Sequence, residues 1–68
     1  MNNVPENKIK NARQKAGLTQ KAMSELFGIP KRTIENWDMG LRKPPHWAER
    51  LLIEKLEQIA NERVNTEN

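Results

Sequence analysis

Gly17, Gly28 and Gly40, followed by the pair Pro44-Pro45, cut the first two-thirds of the chain into segments of roughly ten residues. Each segment has room for two or three helical turns. Within them apolar residues recur three or four positions apart, the spacing of one helix face, and nowhere do they alternate as in a strand. Beyond Pro45 the run "HWAERLLIEKLEQIANERV" contains no breaker. Such punctuation predicts three short helices joined by tight turns and closed by one long helix. The fold class is all-α.

Local signals set the expected boundaries. Pro5 suits the first turn of a helix carrying Ile9, Ala12, Arg13 and Ala16. Gly17 stands where a helix C-terminus favours positive φ. Thr19 is the expected N-cap of the second helix, its hydroxyl accepting from an orphan backbone N–H. Met23 and Phe27 share a face of that helix, and Gly28 ends it. The third helix is expected from about Pro30, since proline costs little in a first turn, and it carries Ile34 and Trp37 inward. Pro44-Pro45 enforces an extended break, and the closing helix spans about 45–64.

With 68 residues the chain is expected to form one domain over 1–68, burying only about 60% of its unfolded surface. Nothing covalent supports it. There is no cysteine, and His46 is the sole histidine, so no disulfide, metal or other cofactor is expected, nor a small-molecule ligand. The absence of cysteine fits a reducing compartment. No signal-peptide pattern is present, and no apolar run approaches the ~20 residues of a membrane span, so the expected location is the cytoplasm with no membrane partner. No Ser–His–acid or metal constellation argues for an enzyme.

Charge is unevenly spread. Residues 1–47 carry nine basic and four acidic side chains, a net +5; residues 48–68 carry three and five, a net −2. A basic body on a mildly acidic tail suits a polyanionic partner, the plain alternative being an ordinary solvated surface. The closing helix carries more apolar surface than one packing contact needs. Ala48, Leu52, Ile53, Leu56, Ile59, Ala60 and Val64 spread over roughly 160°, with Trp47 and Leu51 beyond one edge. One side caps the core; the rest is either further core or a subunit interface. The interface candidates are Trp47, Leu51, Ile53, Leu56, Ala60 and Val64.

Two short helices joined by a tight glycine turn, the second presenting polar and basic residues, form a helix-turn-helix pattern. Residues 9 to 56 resemble the Cro/C1-type helix-turn-helix regulators of phages and bacteria. The likeness is carried by "GLTQ" (17–20), "MSELFGI" (23–29), "TIENWDMG" (33–40) and "RKPP" (42–45). The pattern W-acid-x-G-x-R-x-P after the third helix is its most specific part. The resemblance implies a compact four- to five-helix bundle of the lambda repressor-like DNA-binding type. Ser24 occupies the family's small-residue position where the two helices pack closely, and Pro30 replaces the usual Ser or Thr cap.

The resemblance also implies roles. The third helix enters the DNA major groove N-terminus first, making Lys31, Arg32, Thr33 and Asn36 the base-contact candidates. Arginine or lysine matches guanine O6 and N7, asparagine matches adenine, and a threonine methyl meets that of thymine. Arg32 and Asn36, four apart, share the side opposite Ile34 and Trp37. Phosphate contacts fall to Gln20, Lys21, Arg42 and Lys43. Arg13 is implied to pair with Asp38, which with Trp37 braces the body under the reading helix. Asp38 is one methylene shorter than the family's commoner glutamate, which favours a stretched or water-bridged pair. Glu35 has three candidate roles: accepting from a cytosine amino group, repelling wrong sequences, or pairing with Lys31 or Arg32.

The function implied is a sequence-specific DNA-binding transcriptional regulator, a homodimer repressing, and autorepressing, from an inverted-repeat operator on double-stranded DNA. Small relatives include phage repressors, regulators of anti-CRISPR operons and antitoxins. Alternative readings are an antitoxin-type regulator, a protein-interaction adaptor on the same scaffold, and a basic binder of nucleic acid without sequence preference.

Overall fold

The computed structural model describes residues 7–65, with side chains through Arg63. Among these residues it holds four α-helices and no strand: α1 (Lys8–Lys15), α2 (Gln20–Phe27), α3 (Lys31–Asp38) and α4 (His46–Asn65). The four- to five-helix expectation resolves to four here. Pro5 lies outside the described residues; α1 is capped by Asn7, whose Oδ1 accepts from the Lys10 amide at 3.0 Å.

The short helices begin and end where local chemistry demands. Thr19 Oγ1 accepts from the Ala22 N–H at 2.9 Å and opens α2. Gly28 closes it in the left-handed region, at φ 68°, with its N–H donating to the Ser24 carbonyl at 2.9 Å. Ser24 also donates its hydroxyl to the Ile29 carbonyl at 2.6 Å, so one small residue fastens both sides of the turn. Pro30 stands just before α3, where its missing N–H forfeits no helical bond. Its carbonyl still accepts from Thr33 at 2.9 Å.

Every helix contributes to the core. Ile9, Ala12 and Ala16 come from α1 and its cap, Met23 from α2, Ile34 from α3 and Leu56 from α4. Met23, Ile34 and Leu56 are fully buried. Leu18, Phe27, Ile29, Trp37, Leu52, Ile53 and Ile59 surround them, half-buried. The main pairings are α1 on α4 and α2 on α3, with α1 also touching α3. Arg63 ties the far end of α4 back to α1, donating from Nη1 to the Ala16 carbonyl at 2.9 Å. A cation at a helix C-terminus answers both the orphan carbonyls and the dipole there. Its guanidinium occupies the space a side chain at Gly17 would need.

The phase of α4 corrects one expectation. Leu56, grouped with the interface candidates, is sealed in the protomer's own core and has no surface to offer a second subunit. Ile53 and Ala60 line an open groove of about 470 Å³ against α1, together with Lys8, Lys15 and Glu57. Trp47 and Leu51 are the outward pair, 68% and 58% exposed. At about 100° per residue they lie roughly 140–180° around the helix from Leu56. The side chain of Val64 lies outside the described residues.

Candidate nucleic-acid interface

The reading helix is fixed from beneath. Ile34 is fully buried and Trp37 packs half-buried beside it, so the opposite face of α3 points away from the body. At about 100° per residue the direction opposite Ile34 falls between Arg32 and Asn36. Lys31 and Arg32 are exposed, and Thr33 and Asn36 are half-buried. The four base-contact candidates thus lie on one eight-residue helix, with both long basic chains at its N-terminal end.

Glu35 settles beside Lys31, its Oε2 3.9 Å from Nζ across one helical turn. Both side chains are well exposed, and an exposed pair of this kind contributes only about 0.3–0.5 kcal/mol.

At the C-terminal end of α3 three elements meet on one carboxylate. Arg13 Nη2 and Gln20 Nε2 each reach Asp38 Oδ2 at 2.8 Å, while Arg13 Nη1 donates to the Leu18 carbonyl at 2.8 Å. The pair is direct rather than stretched or water-bridged. The geometry makes up for the short aspartate, because α1 itself packs against α3. The ion pair is nearly sealed, with side-chain exposures of 11% and 6%. Two of its atoms, Arg13 Nε and Asp38 Oδ1, are buried with no hydrogen-bond partner among the described residues.

Gln20, grouped with the phosphate contacts, commits one amide hydrogen to this brace. Lys21 follows it, exposed, in the first turn of α2. Arg42 is exposed just past α3, its backbone N–H on the Asn36 carbonyl at 3.4 Å, and Lys43 is exposed in the loop before α4. Brace, reading helix and two of the four rim residues, Gln20 and Arg42, are therefore joined through α3. Among the described residues no hydrogen bond or ion pair links Lys21 or Lys43 to it.

Two further contacts join elements that no local sequence signal pairs. Asn7 donates from Nδ2 to the carbonyls of Trp37 and Asp38, at 2.8 and 3.1 Å. Arg63 caps α1 from the far end of α4. An asparagine ahead of an apolar-periodic run is an N-cap signal, so the capping half of Asn7 was legible; its partners thirty residues away were not. No group of three acidic or histidine side chains fit to hold a metal lies among the described residues. No described helix is long and apolar enough to cross a membrane.

An outward polar-basic helix, anchored by buried apolar residues and joined through a glycine turn to a second short helix, defines a helix-turn-helix DNA-binding domain. A helix-turn-helix family model matches residues 9–45, which takes in α1, α2, α3 and the loop to Pro45. The chain belongs to this family, the Cro/C1-type helix-turn-helix DNA-binding regulators. No curated protein and no solved structure matches it.

Proposed function

We propose that this DNA-binding regulator is a cytoplasmic homodimeric repressor acting on an inverted-repeat operator, its own promoter included, of the kind phages and mobile elements carry. The observation that carries sequence-specific reading is the outward face of α3. Arg32 and Asn36 project side by side from a helix whose other side holds the fully buried Ile34. Arg32 and Lys31 supply donors for guanine, Asn36 supplies the donor–acceptor pair for adenine, and Thr33 offers a methyl for thymine. Lys21, Arg42 and Lys43 neutralise phosphates on either side, and Gln20 adds its second amide hydrogen.

The dimer reading rests on Trp47 and Leu51. They form an apolar strip on the outer side of α4, flanked by Arg50 and Glu54. A two-fold axis through this strip sets apolar against apolar and lets each Arg50 face the partner's acid. Two reading helices so related enter successive major grooves about one turn apart and occlude a promoter.

Selection from a randomised duplex library at about 150 mM salt, with sequencing of the bound pool, tests the reading. A pseudo-palindromic motif with half-sites about one helical turn apart is the expected result. A bound pool no different from the input would sink it, and the exposed Trp47–Leu51 strip would then favour a protein-interaction adaptor.

A further inference from the structure

The reading helix has two ends, and they are held differently. Its N-terminal end is tied to α2 through the turn that Ser24 fastens, hydroxyl to Ile29 carbonyl, at 2.6 Å. At its C-terminal end the Arg13 and Gln20 bonds act on the Asp38 side chain, through a single carboxylate oxygen. Two side-chain torsions separate that oxygen from the helix axis. Asn7 acts on the helix itself, with Nδ2 on the carbonyls of Trp37 and Asp38 at 2.8 and 3.1 Å. The Asp38 carbonyl is an orphan acceptor of the last turn, and the Trp37 carbonyl, which takes the Gly40 N–H at 3.1 Å, has a second lone pair for the bond, so the contact costs α3 nothing internally. The same amide group is fixed at its other atom, Oδ1 accepting from the Lys10 N–H at 3.0 Å.

We propose that Asn7 is a positioning residue for sequence readout, setting the tilt of α3 against the body by welding the start of α1 to the end of the reading helix. This rests on the DNA-reading role given to α3 above. Eight residues make a lever about 12 Å long, so a 1 Å shift at its C-terminal end turns it by about 5°. Base-edge hydrogen bonds tolerate only about 2.7–3.2 Å between heavy atoms, whereas lysine–phosphate contacts follow a small tilt on flexible stems. Loosening this joint therefore erodes discrimination before it erodes binding.

Asn7→Ser separates the two halves of the residue's work. Serine still caps α1 but is too short to span to α3. Asn7→Asp also keeps the acceptor and loses both donors. Each is compared with the parent on the selected operator and on a scrambled duplex of equal length, at a temperature where circular dichroism shows full helicity. The expected result is an operator affinity lowered about five- to twentyfold with scrambled-duplex affinity held within about twofold. Operator and scrambled affinities that stay at parental values, or fall together, would overturn the inference and leave Asn7 a helix cap only. Should the aspartate variant not fold, the uncharged serine variant decides alone. A parent with no preference for any operator would instead refute the DNA-reading role, and this inference with it.

Discussion

Arg13 and Asp38, twenty-five positions apart, meet at 2.8 Å beneath the reading helix, in an ion pair almost closed to solvent. Its satisfaction is incomplete, since Arg13 Nε and Asp38 Oδ1 are buried without partners among the described residues. Pairs of this kind are poor stabilisers and expensive to break. Removing one partner leaves a buried charge uncompensated. Asp38→Ala should therefore lower unfolding stability by about 3–5 kcal/mol in urea titration. The double change Arg13→Met with Asp38→Leu should cost less than Asp38→Ala alone. Equal or larger loss in the double variant would mean the pair is strongly net stabilising.

Gly17 and Gly28 both sit at positive φ, 74° and 68°, yet their surroundings differ. A Cβ at Gly28 meets open space; at Gly17 it meets the Arg63 guanidinium. Gly28→Ala should cost about 1–2 kcal/mol, the strain of the left-handed backbone alone. Gly17→Ala should cost about 1 kcal/mol more, because Arg63 must leave the Ala16 carbonyl. Repeating it in an Arg63→Ala background should erase that excess, which a double-mutant cycle reads directly.

Two leucines of α4, five positions apart, should fail in different ways. Leu56 is fully buried, and Leu56→Ala should cost about 2–5 kcal/mol of folding stability. Leu51 is outward, so Leu51→Lys should leave the melting of the protomer nearly unchanged and shift sedimentation equilibrium from dimer to monomer. A Leu51→Lys protein that still dimerises would move the interface away from this strip.

On the operator, Arg32→Ala and Asn36→Ala should each cost about 1–3 kcal/mol while leaving scrambled-duplex binding and the fold intact. Lys43→Ala should weaken all duplexes alike and lower the salt slope by about one unit. Parental operator affinity in Arg32→Ala would place the reading face elsewhere.

Helix boundaries were legible because their causes are local. Thr19 caps α2 with its own hydroxyl three residues from its partner, Gly28 ends that helix by adopting a positive φ, and Pro30 has no N–H to lose at the start of α3. The family signature between Trp37 and Pro44 was equally local, and so was the alignment of Arg32 with Asn36. α4 was not legible in the same way. Its apolar arc of roughly 160°, with Trp47 and Leu51 beyond one edge, is wider than one packing contact needs, so periodicity alone did not say which part of it faces the core, and packing against α1 sealed Leu56 inside. Gln20 on Asp38, Asn7 on the end of α3 and Arg63 on the end of α1 likewise needed the fold. Their partners are eighteen, thirty and forty-seven positions away, two of them backbone carbonyls. A hydrogen bond depends on distance and angle, and no sequence spacing fixes either once the chain has turned three corners. Local steric and capping chemistry wrote the helices into the sequence; the joints between them exist only where tertiary packing brings distant backbone within reach of a side chain.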